Sequence, residues 1–86
     1  MDANAFYETQ ARELIKRIRR EKGIPYWKLA QKLRELGEEV EVQPLINRVN
    51  RGTYNFEFAL KLLAAMGVDT LEVPHLPRKS RQNRAS

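Results

Sequence analysis

Between residues 43 and 55 the chain reads QPLINRVNRGTYN. The stretch holds Gln43, three asparagines (Asn47, Asn50 and Asn55) and two arginines (Arg48 and Arg51), against the aliphatic residues Leu45, Ile46 and Val49. Planar amides and guanidinium groups are recognition chemistry, because each can make paired hydrogen bonds to a flat polar partner. Two readings follow. The stretch is a helix that presents these groups to a polar partner, or a connector whose polar groups meet only water.

No comparable cluster supports catalysis. The chain has no cysteine, which removes thiol nucleophiles, thiolate metal ligands and disulfides. Its one histidine, His75, has no companion ligands at metal-binding spacing. There is no phosphate-cradling glycine loop and, in the region expected to fold, no serine near a histidine and an acid. The expectation is a protein that is not an enzyme, with no catalytic residue, metal, cofactor or small-molecule substrate.

The net charge is +5, and its distribution matters more than its size. Four of the 16 basic residues (Arg78, Lys79, Arg81 and Arg84) lie beyond residue 73, leaving residues 1–73 with 12 basic and 11 acidic groups. Within that body, Arg12, Lys16, Arg17, Arg19, Arg20 and Lys22 face only Glu13 and Glu21, whereas Glu35, Glu38, Glu39 and Glu41 cluster without a base. A basic helix and a basic tail favour an anionic partner such as nucleic acid. The strongly apolar run 56–68 is broken by Glu57 and Lys61 and is too short to cross a bilayer. The N-terminus, MDANAFYETQ, lacks the basic start and apolar core of a signal peptide. A cytoplasmic protein without a membrane partner is expected.

The elements that must position these groups are helical. Tyr7, Ala11, Leu14, Ile15 and Ile18 recur at helical spacing and predict a first helix over about 4–22, capped by Asp2 or Asn4 and ended by Gly23. Pro25 suits the first turn of a second helix, whose buried stripe is Tyr26, Leu29, Ala30, Leu33 and Leu36. A polar connector anchored by Val40 or Val42 leads to a short third helix over 43–50, with Pro44 in its first turn and Gly52 at its end. Asn55 caps a fourth helix over 56–66, apolar nearly all round and so expected at the centre of the core. Thr70 to Val73 alternates like a short strand. The fold class is all-α, a compact domain of four or five helices over residues 1–73, with its motif core at 25–52. Residues 74–86 are expected to form a disordered basic tail.

Three motifs carry a resemblance. Gly23-Ile24-Pro25-Tyr26-Trp27-Lys28-Leu29-Ala30-Gln31-Lys32-Leu33 resembles the "G-x-[TS]-x-x-x-L-A-x-x-L" opening of the phage-repressor and Cro type of helix-turn-helix domain. Ile46-Asn47-Arg48-Val49-Asn50-Arg51-Gly52 resembles its recognition-helix ending, and residues 60–68 resemble its closing helix. Closer still is the likeness to a short bacterial domain family of unknown function with this fold, through the longer turn, the "N-x-[IV]-x-R-G" ending and the aromatics Phe56 and Phe58.

The resemblance implies a transcriptional regulator that binds double-stranded DNA, as a homodimer on paired half-sites. Ile46 and Val49 would pack on Leu29 and Leu33, while Gln43, Asn47 and Arg48 project from the third helix. Gln43 and Arg48 become candidate base readers, since Gln pairs with adenine and Arg with guanine. Asn47 would read a base edge or a phosphate. Arg51 and Thr53 would hold the backbone with Tyr54 beside them, and Lys28 would contact a phosphate. Two prolines depart from the pattern: Pro25 replaces the usual Ser or Thr, and Pro44 stands where repressors often read a base.

Plainer readings stand beside these. Arg48 and Arg51 can be ordinary solvated arginines, and the basic side of the first helix a solvated face with a Glu13–Arg17 pair. Trp27 is expected to be half-buried, and Tyr54, Phe56 and Phe58 to be core residues. Two rival functions use the same scaffold. One is a protein-interaction module built on the third helix, Trp27 and the acidic turn. The other is a nonspecific nucleic-acid binder acting through the basic helix and tail.

Overall fold

Asp2 starts the fold: its carboxylate accepts a hydrogen bond from the Ala5 N–H at 3.3 Å and caps α1 (Ala3–Lys22). The structure, a computed structural model, describes residues 2–76 and holds three further helices: α2 (Tyr26–Glu35), α3 (Val42–Arg51) and α4 (Phe56–Ala65). Among the described residues there is no strand. Nor is any described helix long and apolar enough to cross a membrane. The all-helical expectation holds, with four helices.

Each helix stops for a local reason. Past α1, Ile24 N–H donates to Arg19 C=O at 3.0 Å. The Arg19 guanidinium in turn donates to Ile24 C=O at 2.9 Å and lies 4.1 Å from the centre of the Tyr26 ring, tying the end of α1 to the start of α2. Pro25 stands one residue before α2 rather than in its first turn. Its ψ of 156° is extended, and its carbonyl accepts from the Lys28 and Leu29 N–H groups. The ring sets φ, and the chain turns into the helix only at Tyr26.

The connector between α2 and α3 is pinned at three points. Gly37, at φ 93°, lets the Glu38 N–H reach back to Leu33 C=O at 3.0 Å. Val40 is buried, and its carbonyl accepts from Arg34 at 3.0 Å. Glu38 accepts from Lys61 of α4 at 3.1 Å, and Glu57 sits 3.4 Å from the same ammonium. A long polar turn is thereby held in one shape.

The core gathers Ile15 of α1, Leu29, Ala30 and Leu33 of α2, Val40, Leu45 and Val49 of α3, and Phe58, Leu62 and Ala65 of α4, with Met66. Each fully buried leucine contributes roughly 1.5–3 kcal/mol of transfer free energy. α1 packs on α3, α3 on α2, and α2 on α4. The centre therefore belongs to α2 and α3, not to α4 as its composition suggested. α4 packs mainly against α2 and leaves Phe56 (76%) and Leu60 (51%) exposed. Phe56 is thus a surface residue and not a core one. Trp27, also expected to be half-buried, is 60% exposed, because it sits beside the Leu29–Leu33 stripe and not in it.

Two further expectations change. The inward pair of α3 is Leu45 and Val49, both fully buried, while Ile46 is half-buried at the edge. α3 begins at Val42, so the stripe runs Val42, Leu45, Ile46, Val49 with Leu45 near its middle. Thr70 to Val73 pairs with no strand. Leu71 and Val73 lie along Tyr7, Ala11 and Leu14 of α1, and Leu76 N–H donates to the Tyr7 hydroxyl at 3.2 Å. Most of the expected disordered tail, residues 77–86, lies outside the described residues.

Candidate nucleic-acid interface

The outward side of α3 is set by its inward one. With Leu45 and Val49 in the core, Gln43, Asn47 and Asn50 fall at i, i+4 and i+7 on the opposite face and are exposed, with Pro44 and Arg51 flanking them. Gln43 Nε2 donates to Asn47 Oδ1 at 3.2 Å. That bond leaves the Gln43 carbonyl as an acceptor and the Asn47 amide nitrogen as a donor, on two exposed residues. A neighbouring acceptor and donor is the complement of the adenine edge in the major groove.

Arg48 does not join this face. It lies on the flank towards α4, half-buried, with its guanidinium carbon 3.7 Å from the centre of the Phe58 ring. Phe58 is itself buried, so Arg48 serves as the polar lid of a core aromatic. Tyr54 meets the same ring edge-on, with centroids 5.7 Å apart, and burial pushes its hydroxyl pKa above the usual tyrosine value. Thr53 and Arg51 are exposed at the α3 end. Gln43 and Asn47 are thus brought together, whereas Arg48 and Tyr54 form a second cluster around Phe58.

The α3 terminus is fixed by contact with α1. Gly52 has φ 68°, and a Cβ there would lie 2.7 Å from Arg12 Cα. Only glycine satisfies both the left-handed backbone and the close approach of α1. At the other end, Glu41 stands at the N-cap but makes no side-chain cap bond, and Glu38 is drawn to Lys61 instead. Neither Glu38 nor Glu41 therefore caps α3 through a side-chain hydrogen bond. Its first N–H groups have no side-chain acceptor from the N-cap residue.

Lys28 lines a groove of about 450 Å³ between α2 and the end of α4, together with Lys22, Lys32 and Met66. No carboxylate lines it, and among the described residues none of the three lysines forms an ion pair. Lys22 was read from the sequence only as one of the bases of the first helix, and Lys32 was not read as a contact residue. The signal was present in the i,i+4 spacing of Lys28 and Lys32 and in the position of Lys22 next to Gly23. Asn50, read as a helix-end residue, is likewise part of the exposed α3 face.

The basic side of α1 is divided. Arg19 ties α1 to α2, Arg12 packs beside Gly52, and Lys16 pairs with Glu13 at 3.4 Å in place of the expected Glu13–Arg17 pair. Arg17, Arg20 and Lys22 remain exposed. Among the described residues no group of acids and histidines is arranged to hold a metal ion.

Fold and surface together define a small all-α domain in which two packed helices, α2 and α3, are joined by a pinned turn, with an amide-rich face on the second. The chain belongs to the family described as Domain of unknown function (DUF6471), whose family model matches residues 7–71. That span runs from the first turns of α1 through α4 to Leu71. No curated protein and no solved structure matches the chain.

Proposed function

We propose that this chain is a DNA-binding helix-turn-helix protein, a transcriptional regulator of the repressor-like kind, with α3 lying in the major groove. The supporting observation is the α3 outer face: Gln43, hydrogen-bonded to Asn47, with Asn50 and Arg51 beside them, exposed and free of carboxylates. An uncharged amide pair is poor at holding phosphate but well suited to base edges, where a good bidentate contact is worth about 1–3 kcal/mol of discrimination. Lys22, Lys28 and Lys32 offer the complementary chemistry of sequence-independent backbone contact. In this reading Gln43 and Asn47 read bases, while Arg48 acts mainly by shaping the surface beside them.

Selection from a randomised duplex pool at moderate salt tests the reading. The expected result is one enriched motif, lost at a single position on Asn47→Ala. A pool without enrichment sinks sequence-specific binding. Binding that is equal for all duplexes would favour the nonspecific rival instead. A chain that binds no duplex leaves the protein-interaction module, for which the exposed Trp27 and the exposed Glu39 and Glu41 are the available surface.

A further inference from the structure

Arg12 stands apart from the other bases of α1. A Cβ added to Gly52 would lie 2.7 Å from Arg12 Cα, 2.9 Å from its Cβ and 3.2 Å from its Cγ, so the root of the Arg12 side chain crosses the end of α3. Arg51 and Thr53 adjoin Gly52 in the chain, where consecutive Cα atoms are about 3.8 Å apart. Both are exposed, and Arg12 is half-buried. Two guanidinium groups and a hydroxyl thus spring from one small patch.

The patch holds cations and no anion. Glu8 stands four residues before Arg12, the better order and spacing for an ion pair on a helix, yet the two form none. Glu13, next to Arg12 in the chain, pairs with Lys16. Among the described residues neither Arg12 nor Arg51 has a carboxylate partner. A base at the end of a helix suits its dipole, but that accounts for Arg51 alone. Rooting two like charges so close costs free energy that an anion between them recovers.

We propose that Arg12 joins Arg51 and Thr53 in a clamp for one phosphate of the nucleic-acid backbone, so that α1 grips the duplex that α3 reads. The clamp rests on α3 as the reading helix and adds a contact from outside α2 and α3. α3 has ten residues and is about 15 Å long, whereas the major groove is about 12 Å wide. With Gln43 and Asn47 at the base edges, the far end of α3 meets the flanking strand. Guanidinium forks match phosphate oxygens in paired hydrogen bonds, and the Thr53 hydroxyl adds a neutral donor. Such a contact carries no sequence information but fixes which end of α3 faces the backbone.

Salt titrations of the full chain test the clamp, against a mixed-sequence duplex and a duplex carrying any motif selected from the pool. Arg12→Gln keeps Cβ and Cγ, the side-chain atoms that meet Gly52, and removes the charge and the fork. It should leave helical circular dichroism and the melting temperature unchanged. Binding to both duplexes should weaken about tenfold, and the slope of log K against log salt should fall by about 0.9. Arg12→Lys should keep the slope and lose part of the affinity, because an ammonium is a point charge. Arg17→Gln, at an exposed position about 140° round α1 from Arg12, should change neither. A single neutral methylphosphonate linkage, walked along the duplex, should weaken the wild type at one position and leave the Arg12→Gln chain unaffected there.

An unchanged slope for Arg12→Gln overturns the clamp. So does an equal fall for Arg17→Gln, which would mark a diffuse basic face, and so does a methylphosphonate scan identical for wild type and variant. A chain that binds no duplex sinks the clamp and the DNA reading together. One that binds duplexes with the expected Arg12 slope change but enriches no motif supports the clamp and sinks the base reading alone.

Discussion

The Arg48 guanidinium carbon lies 3.7 Å from the centre of the Phe58 ring, so a residue expected to read bases is stacked on the edge of the core. An exposed-edge cation–π contact is worth about 0.5–1 kcal/mol, and Arg48 also keeps water from the ring beneath it. Arg48→Ala should therefore lower stability by about 1 kcal/mol in urea melts. Arg48→Met, which retains the apolar stem, should recover part of that loss. By contrast Gln43→Ala, on the exposed face, should shift stability by less than about 0.5 kcal/mol. Equal losses for Arg48→Ala and Gln43→Ala would show that the stacking contact is not maintained in solution.

Gly52 is a position where even the smallest side chain is excluded. Its φ of 68° acts together with the nearness of α1, since an added Cβ would come within 2.7 Å of Arg12 Cα. Gly52→Ala is expected to cost about 2 kcal/mol or more, beyond the penalty of the left-handed backbone alone. Gly37→Ala is the control, since its φ of 93° is also left-handed but no atom lies within 4 Å of an added Cβ. Thermal melts of the two variants should rank Gly52→Ala clearly below Gly37→Ala. The reverse order would deny the close α1–α3 contact.

The lysine groove can be separated from the α3 face by salt. If Lys22, Lys28 and Lys32 contact phosphates, replacing each by Gln should weaken binding to every duplex by a similar factor. The slope of log K against log salt should fall by about 0.9 for each lost contact. Sequence preference should be unchanged. A lysine variant that alters the selected motif would place the groove at the bases rather than the backbone.

Alkaline pH should loosen the fold. Burial raises the Tyr54 hydroxyl above its ordinary value of 10.0. The hydrogen bond to Glu38, more than any other factor, raises Lys61 above its ordinary 10.5. Both groups hold their protons more tightly folded than unfolded, so their stabilisation is complete below those ordinary values and is lost as pH climbs through the raised ones. The melting temperature should be steady from about pH 7 to 9 and fall above about pH 10. Tyr54→Phe should remove part of that fall. A Tyr54→Phe profile that overlays the wild type would place this phenol in water.

The element boundaries were legible in the sequence because they depend on near neighbours. Asp2 and Asn55 cap helices through N–H groups three residues away, at 3.3 and 2.8 Å. Pro44 admits only the first turn of α3, and Gly52 ends it. The α2 stripe of Leu29, Ala30 and Leu33 followed from spacing alone. So did exposure of Gln43 and Asn47 opposite Val49.

What faced what was not legible. α4 is apolar on both sides, so its composition could not say that Phe58 faces inward and Phe56 outward; the packing of α2 against one side decided it. Lys61 and Glu38 are 23 residues apart, and no local rule pairs them. Arg48 falls at a boundary position of α3, and whether it reaches outward or lies on an aromatic depends on where α4 places Phe58. The sequence by itself determined the all-helical class, most of the helix ends and the amide-bearing face of the third helix, because caps, glycines and periodicity act within about one helical turn. Only the tertiary structure decided which arginine is free, which lysines converge and which apolar face stays open, because those depend on how the helices cross.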